Sequence, residues 1–466
     1  METLTINNEI RFNKFDIFCN KINKFYYSNY YLSIITLIAF IFWATHLSIV
    51  STSLLLLIGS IVIITNKDVS PFLPILVLMV ITVSDIHYLE KQQNLILMAV
   101  FGTILGLSLL FHIFYYKQKL AKGKLTISLL LISIACLFGG IGYTNADAFG
   151  TSILYVITLG IAMFALYLFM ISCIELPNNI DTKRYICKLI LTISFTITMQ
   201  VFIAHTWIIG DISDHLRAAL EVGWGNRSGM GIMLVMTLPI GFYLAETAKK
   251  YNTIFFILSF VQYVFLMITF CRGSMLFGTI EMIAITIYLL MKSNHKKPFI
   301  FALSISAITC IIVLLVNIPL VEDFFNKIFS QTDFSTGRIK LYKESLIAFM
   351  ANPLFGVGFG YGGELIPNGP NYHVAENCMY WFHSTPLQAL ASLGLFGFVC
   401  YAIYYYKKTK LLFDNKDMFN YMLAFGIIFY ELQCLIDAGS FQPFPFVFTA
   451  LMITTFIEKT NKLSIN

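Results

Sequence analysis

His383-Ser384-Thr385-Pro386-Leu387-Gln388-Ala389-Leu390-Ala391-Ser392-Leu393-Gly394-Leu395-Phe396-Gly397 closes the one long polar interruption in an otherwise hydrophobic chain, an interruption that begins at Val321. On one side of it, Pro386 opens an apolar run long enough to cross a bilayer. On the other lie far more residues than a link between two spans requires, and loops of that length are functional or disordered. This one reads as ordered. From Arg338 to Met350 the apolar residues Ile339, Tyr342, Leu346, Phe349 and Met350 share one helical face, opposite Lys340, Lys343 and Glu344. Asn352-Pro353 stops that amphipathic helix, and Gly356, Gly358, Gly360, Gly362 and Gly363 follow as a turn-rich run that reads as a hinge.

The rest of the chain reads as a scaffold for that loop. Its 466 residues are 58% hydrophobic and only 12% charged, too few charges to cover a soluble core of this size. The expected class is all-α: a polytopic membrane helical bundle of about 12–14 transmembrane helices with one long extracytoplasmic loop. Fourteen apolar runs, from Tyr31–Ser48 to Phe444–Ile457, set the upper number; Ile49–Thr65 and Pro71–Ser84 are short and set the lower. The segments are then 1–30, a cytoplasmic N-terminal stretch; 31–318, transmembrane helices; 319–385, the extracytoplasmic loop; 386–457, the C-terminal spans; and 458–466, a cytoplasmic tail. No small-residue cleavage site follows the first run, so a retained first span is expected. The nine cysteines show no CxxC and sit mostly in apolar runs, as small core residues do.

Charge fixes the expected orientation, because lysine and arginine resist translocation. With both termini cytoplasmic, all but eight of the 31 Lys and Arg fall inside. The exceptions are Lys91, Arg217, Arg227, Arg272, Lys327, Arg338, Lys340 and Lys343. Four of the six arginines are therefore outside, where guanidinium groups can grip phosphate oxygens bidentately. Arg227 and Arg272 also stand at span ends, at headgroup depth. The same face carries His205, His215, His373 and His383, any of which can accept a proton near neutral pH. It has no HxxxH, no DxD and no acidic cluster with ligand spacing; Asp211 and Asp214 come nearest. No metal, no cofactor and no nucleic-acid partner is expected.

These pieces together resemble the bacterial O-antigen ligase superfamily, which also holds related surface-polysaccharide polymerases, over roughly Trp224 to Gly397. Three motifs carry the resemblance: Asn226-Arg227-Ser228-Gly229, Cys271-Arg272-Gly273-Ser274, and His383-Ser384 followed after nine residues by Gly394-Leu395-Phe396-Gly397. Thr336-Gly337-Arg338 and Asn352-Pro353-Leu354-Phe355-Gly356-Val357-Gly358 also fit. The resemblance implies a metal-independent inverting glycosyltransferase of a bacterial cytoplasmic membrane, with its active site on the outer face. It would move a glycan from an undecaprenyl-diphosphate carrier to the hydroxyl of an acceptor glycolipid or glycan. Arg227 and Arg272 would hold the diphosphate, Arg338 would add a weaker anion contact, and His383 would act as the base.

Plainer readings stand beside these. Arginines at span ends commonly snorkel to headgroups, and loop histidines are more often structural, the reading kept for His205, His215 and His373. Asp437 ends a span on the outer side as many acids do; it could also orient His383, as carboxylates commonly do for histidines. Glu431 and Gln433, inside that span, would satisfy each other or a neighbouring helix. A lipid-linked oligosaccharide flippase would also have about a dozen spans, but flippases are built from two similar halves and none are discernible here. A pure scaffold leaves the outer arginines unexplained. Ligase and repeat-unit polymerase share the donor; the fit around His383 leans to ligase. A protein-glycosylating enzyme ranks third, since the chain ends a few residues past its last span.

Overall fold

Each of the fourteen apolar runs folds as helix, and no strand occurs among the described residues. The protein is described here by a computed structural model covering residues 15–85 (less 16 and 20), 92–142, 149–177, 180–207, 222–316, 337–363 and 379–463, with isolated positions at 318–319, 322 and 326. In chain order the helices are α1 Asn29–Ala44, α2 Ser48–Thr65, α3 Leu73–Ile81 and α4 Gln92–Tyr115. Then come α5 Thr126–Gly139, α6 Phe149–Tyr155, α7 Met163–Cys173 and α8 Thr182–Trp207. The π-helical turn Val156–Ala162 makes α6 and α7 one continuous rod. The remainder are α9 Arg227–Glu246, α10 Asn252–Ile268, α11 Arg272–Lys292, α12 Lys296–Val316, α13 Arg338–Ala351, α14 Thr385–Leu412, α15 Met418–Cys434 and α16 Phe448–Leu463.

This is a polytopic helical membrane bundle. Among the described residues, seven helices are long and apolar enough to cross a bilayer unaided, and Ile17–Tyr26 with Asn29–Ala44, bent by 68°, make an eighth if the pair is one span. Ser70–Ile81, Thr126–Gly139 and Asn252–Ile268 are apolar but shorter. At 1.5 Å per residue, Ser70–Ile81 reaches about 18 Å, well under a bilayer's apolar thickness of about 30 Å. The short Pro71–Ser84 run is therefore no straight crossing, whereas Ile49–Thr65 is a full 18-residue helix.

Two compact units divide the chain. The first holds residues 1–120, 172–203 and 221–225. There α2 packs against α1, α3 and α4, and Asp68, just past the end of α2, ties three segments of the unit together. Its buried carboxylate accepts from Tyr27 Oη at 2.9 Å, from the Ser70 N–H at 3.1 Å and from the Glu175 N–H at 3.0 Å. Burial pushes the Asp68 carboxyl up to about 6 despite those donors.

The second unit holds everything else and all three of the motifs above. Its axis is α9, 89% of whose span is buried against protein, packed on α10, α11 and α15. The chain's alternation sorts the helix ends. α9, α11 and α14 start, and α15 finishes, at one end, where Ser228 is bonded to Asp437 and Ser274 to Gln433. At the other end, Glu246 accepts from Ser293 Oγ at 2.6 Å and from the Asn294 N–H at 2.7 Å, joining the ends of α9 and α11. Lys124 and Tyr167 converge there on Glu458, and Lys124 pairs with Asp414 at 2.5 Å.

The helix expected in the loop is α13, with Asn352 as its C-cap, but its faces are not those expected: Ile339, Leu346 and Met350 are exposed, while Glu344 is buried beside Leu341, Ser345 and Ala348, where Tyr380 bonds it. The glycine run after it is not a free hinge. Val357 and Gly358 N–H groups donate to the carbonyls of Ala391 and Ser392, and Leu395 and Phe396 N–H groups donate to those of Pro353 and Leu354. These four bonds dock the loop into a break in α14 at Gly394, where φ is +66°. A Cβ at Gly394 would lie 2.4 Å from the Leu354 carbonyl carbon and oxygen, and one at Gly356 would lie 2.4 Å from that of Ser392. Only glycine permits so close a backbone approach.

Candidate active site

The site end of the second unit is assembled from four helix termini and the cap helix α13. Asn226 is the N-cap of α9: its side chain accepts from the Ser228 and Gly229 N–H groups at 3.0 and 3.1 Å, fixing the first turn. That leaves Arg227 exposed at the first helical position, and it sends Ser228 inward, where Oγ donates to Asp437 Oδ2 at 2.7 Å. Arg272 holds the equivalent first position of α11 and is likewise exposed. Two residues on, the fully buried Ser274 accepts from Gln433 Nε2 at 2.7 Å and lies so near α9 that a Cβ at Gly231 would be 2.2 Å from its Oγ. Two helix N-termini, each carrying positive dipole and an arginine, thus face solvent side by side.

His383 immediately precedes α14. Its φ of +49° is unusual for a residue with a Cβ and turns the chain from the buried Phe382 outward. The imidazole remains 40% exposed, and its Nδ1 donates to Asp437 Oδ1 at 3.3 Å. A carboxylate can only accept, so the shared proton sits on Nδ1; in the neutral imidazole this arrangement leaves the lone pair on Nε2. Burial pushes the Asp437 carboxyl up, but hydrogen bonds from His383, Ser228 and the Ala438 N–H, with the imidazole charge, outweigh burial and hold it below the usual range. Asp437 is thereby an ionised, oriented acceptor.

Arg338, half-buried, opens α13, and Tyr342 follows one turn later. The Tyr342 hydroxyl donates to the His383 carbonyl at 3.4 Å. Its pKa is raised by burial, lowered by the Arg338 charge and raised by that of Asp437, so all four groups share one environment. Tyr380, three residues before His383, also donates to Glu344 of α13 at 2.6 Å. The cap helix is therefore fastened to the histidine's segment twice.

Other sequence candidates fall elsewhere. The His205 ring packs edge-on to Phe270, with centroids 6.2 Å apart. Arg217, His215, His373, Asp211 and Asp214 lie outside the described residues. Glu431 and Gln433 find partners on neighbouring helices, as expected, and not in each other: Glu431 pairs with the buried Lys408 of α14 and accepts from Ser440, while Gln433 bonds Ser274 of α11. Three contributors escaped the sequence reading. Ser228 and Ser274 stand inside the arginine motifs but were unassigned, and Tyr342 counted only as a member of an apolar face. A serine following each arginine at a span start was the available signal.

A membrane-embedded helical protein with an arginine-flanked, carboxylate-oriented histidine under a cap helix is the class this geometry defines. Residues 254–402, about a third of the chain, match the family model described as O-antigen ligase. The match supports a likeness of that stretch to the O-antigen ligase superfamily. The match contains Arg272, Arg338 and His383; Arg227 and Asp437 lie outside it and join the site through the Ser228–Asp437–His383 contacts. No curated protein matches the chain.

Proposed function

We propose that the protein is an inverting glycosyltransferase that moves a glycan from a polyprenyl-diphosphate carrier to an acceptor hydroxyl, as an O-antigen ligase does. The observation that carries this reading is the His383–Asp437–Ser228 chain, which orients the histidine and ties it to the residue next to Arg227. In the reaction, His383 Nε2 takes the acceptor hydroxyl's proton as that oxygen bonds to the anomeric carbon from the face opposite the diphosphate. The bond to the diphosphate oxygen breaks, and Arg227 and Arg272 neutralise the charge that develops there. Arg338 supplies a further anion contact from the cap. A diphosphate is a good leaving group once its charge is met, so paired guanidiniums can do what a metal does elsewhere.

Charge distribution supports an extracytoplasmic site. In the second unit Arg227, Arg272 and Arg338 gather at the site end, while Lys249, Lys250, Lys292, Lys296 and Lys416 stand at the opposite ends of the same helices. Lysine-rich ends tend to remain cytoplasmic, which supports a histidine on the outer side of the membrane.

The test is glycan analysis in a strain lacking the protein, complemented with wild type or His383→Ala. Full-length polymer stranded on the carrier lipid identifies a ligase; single repeat units without long chains identify a polymerase instead. His383→Ala should reproduce the null phenotype, with turnover down about 10²–10⁴-fold, while the protein still reaches the membrane. Transfer at the wild-type level in that variant removes the base assignment.

A further inference from the structure

We infer that Gln388, one turn into α14, is a positioning residue that presents His383; the inference rests on the reading of His383 as the base. Gln388 is fully buried, on an apolar span where an amide is costly unless satisfied. Its Oε1 accepts from the Phe382 N–H at 3.0 Å. Its Nε2 donates to the Tyr380 carbonyl at 3.1 Å and to Ser392 Oγ at 3.0 Å. Both ends of the amide are thus occupied by backbone groups of opposite character. Exchanging the amide's oxygen and nitrogen would set donor against donor and acceptor against acceptor, so the bonds themselves fix its orientation.

The clamp lies where it is needed. Tyr380 and Phe382 are buried, and the very next residue turns out to solvent through a positive φ. Such a conformation is strained and persists only where the surroundings over-determine it. Asp437 grips the imidazole and Tyr342 the carbonyl, but neither holds the chain leading into His383. Gln388 does, from below, while Glu344 takes the hydroxyl of the same Tyr380 from the cap side. The Gln388 N–H also bonds the Ser384 carbonyl at 2.8 Å, so one residue spans both flanks of the histidine. A displacement of about 1 Å in a reacting group can cost about 10²-fold in rate. Loss of this clamp therefore acts on turnover, while the arginines that hold the donor stay on α9 and α11.

The experiment measures kcat and donor KM across pH in membrane vesicles, using lipid-linked glycan extracted from the strain that lacks the protein. Gln388→Leu keeps the volume and removes all three side-chain bonds; kcat should fall about 10–10²-fold with donor KM unchanged within about twofold. Gln388→Glu supplies a second readout. Ionised, the carboxylate faces the Tyr380 carbonyl with no proton to donate; protonated, it can remake that bond. Its activity should recover on acidification, shifting the optimum to lower pH, against the wild-type trend in which protonating a base abolishes turnover. Wild-type kcat in Gln388→Leu, parallel losses in kcat and KM, or an unmoved optimum in Gln388→Glu overturns the inference, and the Glu variant decides it if the Leu variant does not fold. His383→Ala run alongside separates the two claims. An active His383→Ala brings down the base reading itself; an inactive one beside wild-type Gln388 variants brings down only the positioning role.

Discussion

The roles proposed for Arg272 and Asp437 depend on geometry as much as on charge. Arg272 stands at the first position of α11, anchored two residues later by the buried Ser274. Replacing it with lysine keeps the charge and loses the planar fork, so Arg272→Lys should lower kcat/KM about 10–10²-fold, roughly the worth of one charged hydrogen bond. A wild-type value in a transfer assay would end the diphosphate role. Asp437→Asn probes orientation. An amide can turn its NH₂ toward Nδ1, which then accepts and forces the proton onto Nε2, the atom that must be free. Turnover should fall at least about 10²-fold with little change in donor binding, and unchanged turnover would show that the Asp437–His383 contact is idle. Sequence alone reached most of these residues: His383, Arg272 and Asp437 are titratable groups at span ends, where the positive-inside count puts them on one face. It could not reach the Ser228–Asp437 bond, which joins positions 209 apart through a small hydroxyl that no pattern distinguishes.

Helices were legible wherever apolar periodicity was strong. The loop helix expected over Arg338–Met350 is α13, Arg338–Ala351, and Asn352-Pro353 ends it as proline chemistry requires. Periodicity says nothing about what fills a break. The Gly356 run reads as a hinge because glycine frees the backbone, yet here glycine serves the closeness of approach to α14. Gly394→Ala would combine a positive φ with a Cβ 2.4 Å from the Leu354 backbone. The expected loss is about 3 kcal/mol or more, read as a lower unfolding temperature in detergent together with lost turnover. A variant as stable as wild type would mean the break tolerates a side chain.

Among the buried carboxylates of the described residues, Asp68 and Asp437 have opposite pH signatures. Asp68 in the first unit has its pKa raised, from 3.8 to about 6, by burial. A raised folded pKa means that the native state binds the proton more tightly, so its contribution is complete below about 3.8 and is lost as pH rises through about 6. Asp437 in the second unit is held down, so its contribution is present above the ordinary carboxylate range and is lost on acidification. Between pH 4 and pH 7 the wild type should lose on the order of 3 kcal/mol from Asp68. In Asp68→Asn that slope should flatten, as followed by thermal unfolding of the purified protein. An identical slope would assign it to other groups. The two-unit division behind this contrast was invisible in the sequence, because residues 172–203 and 221–225 join the first unit across intervening stretches of the second.

The docked break in α14 also bears on how such enzymes can be recombined. Pro353 and Leu354 supply the carbonyls that receive the first N–H groups of the helix beyond Gly394, and Ala391 and Ser392 return the favour to Val357 and Gly358. Loop and span are therefore not separable modules. A chimera that grafts a relative's loop onto this scaffold must carry residues 352–358 and 391–396 as one cassette, and crossover points belong outside both.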